Sequence, residues 1–272
     1  MRLFFAGLFS CIFMLPPALR AQGNLLITPM RIVFDGKKKV QEVNLANTGD
    51  DTARYLISLI EIRMKDNGTF EQITSADTGQ RFASPFIRFF PRSVVLPPRE
   101  AQVVKLQLYN TSELDNGEYR SHLYLRAEPN QPALGEPDEP PADPEGISIK
   151  LTPVFGISIP VIVRNGDQHA DVSIDSLGVI GKGDTAKLKV TFKRSGNISV
   201  YGDIRVEHIS PDGKRSSAGL AKGVAVYTPN ERRSILLPLK KGPDYTKGRL
   251  EISYGPEETT DPPLARAALP LR

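Results

Sequence analysis

The sequence predicts an all-β protein built as two β-sandwich domains in tandem. Short segments of alternating or continuous apolar residues are separated by Gly, Pro and Asn turns, no long stretch carries a helical period, and the pattern occurs twice. Val40 to Ala46, Tyr55 to Ile62, Val94 to Leu96, Val103 to Tyr109, Tyr119 to Ala127 and Ile147 to Ile159 read as strands of the first set. Asn47-Thr48-Gly49, Asp66-Asn67-Gly68, Leu96-Pro97-Pro98 and Asp115-Asn116-Gly117 supply turns, through tolerance of positive φ and the fixed φ of proline. A polar turn, Arg164-Asn165-Gly166-Asp167, precedes the second set, which contains Val172, Leu188 to Phe192, Ile204 to Val206, Val224 to Val226, Ile235 to Leu237 and Leu250 to Tyr254. The hinge is expected near Gly166, giving a first domain over 22–165 and a second over 166–272. The stretch after Pro256 is charged and proline-bearing, and reads as a tail.

Residues 1–21 read as a secretory signal peptide: Arg2, an apolar run from Leu3 to Leu15, Pro16-Pro17, and small residues up to Ala21. The run is short for a membrane span and no later segment approaches one, so the mature chain is expected to be secreted and soluble, not embedded in a membrane. Cys11, the single cysteine, lies in this leader, which leaves the mature chain without thiol, disulfide or Cys-based metal site. Leu8-Phe9-Ser10-Cys11 is a poor lipid-attachment box, because Phe9 is bulky and the apolar run continues past the cysteine. Two of the 35 Lys+Arg lie in the leader, leaving 33 against 31 Asp+Glu. The basic clusters Lys37-Lys38-Lys39 and Arg232-Arg233 are short and separate, so nucleic acid is not an expected partner.

A search for catalytic chemistry finds little. His122, His169 and His208 are scattered, His122 reads as a surface or packed histidine, and no nucleophile elbow, phosphate loop or dinucleotide fingerprint is present. Nothing in the sequence brings Glu61 and Glu71 to a common cleft. The expectation is a non-enzymatic protein with no cofactor, no metal and no small-molecule substrate.

The proline-rich, acidic stretch from Glu128 to Gly146 cannot bury enough apolar surface to offset its ordering entropy, so it is expected to be a long mobile loop. It leads into the most apolar strand, where Ile147, Ile149, Leu151, Phe155, Ile157 and Ile159 fall on one face and Pro153 interrupts. Pro153, and Pro29 in the first strand, lack an N–H and belong at sheet edges. Ile157 and Ile159 are expected to face the core, whereas Ile149 and Leu151, beside the loop, serve either as core or as an interaction face. Arg31 interrupts the apolar series Ile27, Pro29, Val33, and reads either as a solvent-facing charge on an edge strand or as a group awaiting a partner.

These residues resemble a known family. Ile27-Thr28-Pro29-Met30-Arg31-Ile32-Val33-Phe34-Asp35-Gly36 resembles the first strand of PapD-like periplasmic pilus chaperones. Val43 to Asn47 with Tyr55 to Ile57 is similar to the next two strands, Phe90-Pro91-Arg92-Ser93-Val94-Val95-Leu96-Pro97-Pro98 to the segment before strand E, and Gly117 to Leu125 to strand F. The resemblance covers most of the first domain, and the second domain follows only the general strand pattern. It implies two immunoglobulin-like domains that hold an incomplete pilus or fimbrial subunit, complete its sheet with a donor strand, and pass it to an outer-membrane usher. Ile147, Ile149, Leu151 and Phe155 match the donor strand, and Arg31 matches the arginine that holds the subunit's C-terminal carboxylate. The family's accompanying lysine is replaced by Ser158, a departure that suggests a branch nearer the archaic or spore-coat-related chaperones. Either Arg31 carries more of the anchoring or another arginine, such as Arg120 or Arg164, shares it. The alternative is a secreted Ig-like surface or adhesive module without an assembly role.

Overall fold

The structure, a computed structural model, describes residues 25–128, 154–256 and 262–271. The first domain contains β1 (Leu25–Thr28), β2 (Ile32–Phe34), β3 (Val40–Asn47), β4 (Ala53–Met64), β5 (Phe70–Ile73), β6 (Ile87–Phe90), β7 (Ser93–Leu96), β8 (Ala101–Leu108), β9 (Gly117–Glu128) and β10 (Gly156–Asn165). The second contains β11 (Ala170–Ile180), β12 (Lys187–Gly196), β13 (Val200–Ile209), β14 (Arg215–Val226), β15 (Arg232–Pro238), β16 (Gly248–Gly255) and β17 (Ala265–Leu271). One sheet of the first sandwich has the order β1-β3-β8-β6. The other runs β2-β10-β9-β4-β5, with β7 also pairing β4. The second sandwich packs β11-β12-β15 against β14-β13-β16-β17. All four sheets thus form two tandem β-sandwiches.

Alternation explains the packing. Val43 and Leu45 of β3 and Val104, Leu106 and Leu108 of β8 point inward while their sequence neighbours face solvent, and they meet Leu123, Leu125, Ile159, Val161 and Val163 from the opposing sheet. The turns follow their residue chemistry. Gly68 takes φ +83°, and Asn67 Oδ1 accepts the Thr69 N–H at 3.0 Å in the β4–β5 hairpin. Asn47, though buried, is satisfied: its Nδ2 donates to the carbonyls of Asp51 and Leu96, and its Oδ1 accepts the Gly49 N–H.

Three features differ from the sequence reading. The first strand is divided between the two sheets. β1 pairs antiparallel with β3, and after Pro29 the chain crosses over so that β2 runs parallel to β10. The crossing reverses parity, so Ile27 and then Ile32 and Phe34 face the core, and Arg31 shares its face with Val33 but not with Ile27. β10 extends through Arg164 and Asn165, read as turn, because these residues pair with Glu118 and Gly117. Residues 265–271, read as tail, form the edge strand β17 on β16, and its Ala265, Leu269 and Leu271 pack on the second core. The predicted loop beyond Glu128, and Ile147, Ile149, Leu151 and Pro153, lie outside the described residues.

β10 ends at Asn165 and β11 begins at Ala170, with Gly166 at φ +67° between them. Beyond this connection, Val33, Met64 and Ile162 of the first domain pack against Ala225 and Tyr227 of the second.

Phe34 is completely buried and fixes the three-residue β2 to the core. Phe34→Ala is expected to cost about 3–5 kcal/mol in denaturant unfolding followed by tyrosine fluorescence. Phe90→Ala, at a side chain 76% exposed, is expected to change stability by less than about 0.5 kcal/mol.

Candidate binding cleft and open strand edge

β10 has two unequal edges. Along its whole length it pairs with β9, but on the other side, among the described residues, β2 covers only Val161–Val163. The Phe155 carbonyl accepts the Ala127 N–H of β9 at 2.8 Å. By the two-residue period of a strand, the backbone groups of Gly156, Ser158 and Pro160 therefore face away from β9, toward the uncovered edge. Pro160 offers only its carbonyl. Val154 and Phe155 stand roughly half exposed at the start of this edge, Ser158 is exposed opposite Tyr124, and Met30 is exposed beside Arg31. Ile157 packs partly on the core and Ile159 is fully buried in it.

Arg31 lies where this edge meets the second domain. Its guanidinium stacks on the Tyr201 ring, 4.7 Å from the centroid, and stands 5.6 Å from that of Tyr227. Its Nη2 donates to Ser199 Oγ at 3.3 Å and its Nη1 to the Tyr227 hydroxyl at 3.5 Å. Both bonds are long, so much of the planar donor fork remains unspent. Among the described residues, no carboxylate forms an ion pair with it.

A buried carboxylate holds the second domain against this face. The Glu118 side chain is fully inaccessible, and its Oε2 accepts from Arg164 Nε at 3.0 Å, from the Ser199 N–H at 3.0 Å and from Ser199 Oγ at 2.8 Å. Arg164 Nη2 also donates to the Ser199 carbonyl at 2.9 Å. Ser199, which contacts Arg31, is thus placed by the Glu118–Arg164 charge pair of the first domain. Arg120 lies deeper, on β9, with its guanidinium 4.3 Å from the Tyr227 centroid. Burial pushes its pKa down, with Tyr227 and Glu118 opposing.

Arg31 and Arg120 thus both approach a single tyrosine, whereas Ser158 pairs with Tyr124 and Arg164 is committed to Glu118. Tyr201, Tyr227 and Ser199 did not emerge from the sequence reading, because only the packing of the domains brings them to the first sheet. Glu61 accepts from the Ser121 hydroxyl and Glu71 pairs with Lys65 and Arg63, so the two carboxylates serve different partners. His122 is packed: it is 3% exposed and meets the Phe70 and Tyr227 rings edge-on. Among the described residues, no three His, Cys, Asp or Glu side chains converge as metal ligands.

No family model matches the chain, and no curated protein does. Among solved structures, the chain is similar to one of the chaperone–tip adhesin complex of CFA/I fimbriae, at 12% identity over 91% of this chain and 98% of that one, with a TM-score of 0.44. It is also similar to the CupB2 chaperone of Pseudomonas aeruginosa, at 10% identity, 91% and 100% coverage and a TM-score of 0.44. A third is the CsuC–CsuE chaperone–tip adhesion subunit complex from the archaic Csu pili of Acinetobacter baumannii, at 14% identity, 77% and 88% coverage and a TM-score of 0.40.

Burial, reinforced by repulsion from Arg120 and Arg31, pushes the His122 imidazole down to about 3. In the unfolded chain it takes up a proton near its ordinary value of 6.5. The stability linked to His122 is therefore complete above that value and is lost as pH falls toward the folded one. Between pH 7 and pH 5 this residue is expected to remove about 2 kcal/mol from the unfolding free energy. His122→Leu should flatten that part of the pH profile in denaturant melts at the two pH values.

Proposed function

We propose that this protein is a periplasmic chaperone for pilus or fimbrial subunits, which captures a subunit by lending it a β-strand and delivers it to an outer-membrane usher. One observation carries the reading: the edge of β10 that β2 leaves uncovered runs up to Arg31 at the junction with the second domain, and the donor fork of Arg31 has no carboxylate partner among the described residues. An extended segment laid on that edge would complete main-chain hydrogen bonds that β2 leaves open, and its terminal carboxylate would reach Arg31. Ile147, Ile149, Leu151 and Phe155 would fill the gap in the subunit's sheet. The sequence resemblance of the first domain supports the same reading, as do the leader expected over 1–21 and the hinge expected near Gly166. No catalytic step is needed, since strand pairing and charge suffice. Co-expression with subunits encoded beside it tests the proposal directly: subunits should accumulate in the periplasm only with the chaperone, and equal accumulation without it contradicts the reading.

Two sets of substitutions separate the parts of the mechanism. Replacing both Ile149 and Leu151 by Asn should abolish capture at unchanged melting temperature, since each side chain buried in the complex contributes roughly 1.5–3 kcal/mol. If these residues instead serve the protein's own core, its melting temperature falls sharply. Arg31→Ala should cost about 2–5 kcal/mol of complex stability while the free protein folds normally, and undiminished binding would leave capture to strand pairing alone.

A further inference from the structure

Arg120 departs from the pattern of the charges around it. Glu118 spends its Oε2 on Arg164 and Ser199 and takes a 3.4 Å bond from Thr228 on Oε1, and Glu61 is engaged by Ser121. Arg120 is 3% exposed, and among the described residues its buried Nε and Nη1 have no hydrogen-bond partner and no carboxylate pairs with it. A guanidinium stays charged inside a protein, so this arrangement is costly, and the stacked ring of Tyr227 together with the more distant charges of Glu118 and Glu61 offsets only part of the cost. The surrounding layer is apolar: Ile162 lies directly across the strand from Arg120, and packs with Met64, Ala225 and Tyr227. A methionine at position 120 would suit that layer without burying a charge. The charge therefore calls for a use.

That use lies at Tyr227, whose ring Arg31 also approaches. With guanidinium carbons 4.3 and 5.6 Å from one ring centroid, Arg120 and Arg31 stand no more than about 10 Å apart, a distance over which charges separated by protein rather than water still interact. We propose that Arg120 is a positioning residue that holds Tyr227 against Arg31 and supplies, from beneath the surface, the second positive charge by which the cleft selects a free carboxylate over a neutral chain end. This rests on the reading of Arg31 as a carboxylate anchor. It places the second cation on β9, at a buried site, rather than at Ser158 on β10. A role confined to holding the domains together would strengthen or weaken every ligand alike. A role in the field of the cleft acts on charged chain ends alone.

The test uses the full mature protein and a fluorescently labelled synthetic peptide of alternating valine and threonine, made once with a C-terminal carboxylate and once with a C-terminal amide. The parent protein should bind the acid more tightly than the amide. Arg120→Met should weaken the acid by about ten-fold, leave the amide unchanged, and melt at the same temperature as the parent or higher. If Arg120→Met keeps the parent's acid-to-amide ratio, or weakens both peptides equally, the proposal is overturned. Should Arg120→Met fail to fold, Arg120→Lys and Arg120→Gln decide: Lys should retain the preference for the acid and Gln should lose it, and equal ratios in the two overturn the proposal. Arg31→Ala reports on the underlying reading. If it binds the acid as the parent does, or the parent shows no preference, the anchor falls and this role with it. If Arg31→Ala loses the preference while Arg120→Met retains it, the anchor stands and the role of Arg120 is wrong.

Discussion

Hydrogen bonding along β10 sets the terms for the rest of the first domain. The strand is tied to β9 from Gly156 to Asn165, yet among the described residues β2 satisfies its other side only at Val161–Val163. An uncovered sheet edge invites pairing with other chains, and proteins that do not use such an edge cover or blunt it. Here the cover is short because the first strand serves two sheets, pairing with β3 before Pro29 and with β10 after it. The crossing that leaves the edge open also turns Arg31 away from the core. Edge and cation therefore arise from one change of direction in the chain.

The second domain completes the site without contributing to that edge. Glu118 and Arg164 fix Ser199, Met64 and Ile162 pack on Ala225 and Tyr227, and the Tyr201 ring lies against Arg31. Two cations gather there: Arg31 and Arg120 share Tyr227, while the buried carboxylate of Glu118 spends its Oε2 on Arg164 and Ser199. A carboxylate arriving there would meet preoriented donors and little competition from the protein's own acids, which is the condition under which a charge-assisted hydrogen bond contributes most.

Much of this architecture was legible in the sequence. The period of two in Val103 to Tyr109 and in Leu250 to Tyr254 located strands, because one face of each must be buried. Asn47-Thr48-Gly49 and Asp66-Asn67-Gly68 located turns through local backbone chemistry. Pro29 signalled an edge, but the reversal of parity after it depends on which sheet the chain joins next, and that is decided by tertiary packing. For the same reason Arg31 could be singled out while Tyr201, Ser199 and Tyr227 could not: they lie some 170 to 200 positions further along the chain and approach only through the domain interface. Alternation likewise gave Arg120 no distinctive signal, since a strand places an arginine on a solvent face as readily as on a buried one. The alanine- and leucine-bearing stretch that became β17 was obscured by the prolines before it.

The central claim is that the edge of β10 over Gly156–Pro160 is open in the free protein and closed by a client strand. Amide hydrogen exchange of the free protein and of its complex with a co-expressed fibre subunit tests this most directly. The Ser158 amide should exchange rapidly in the free protein, while those of Ile157 and Ile159, which face β9, are protected, and it should become strongly protected in the complex. Slow exchange of Ser158 in the free protein, or rapid exchange that persists in the complex, would contradict the account.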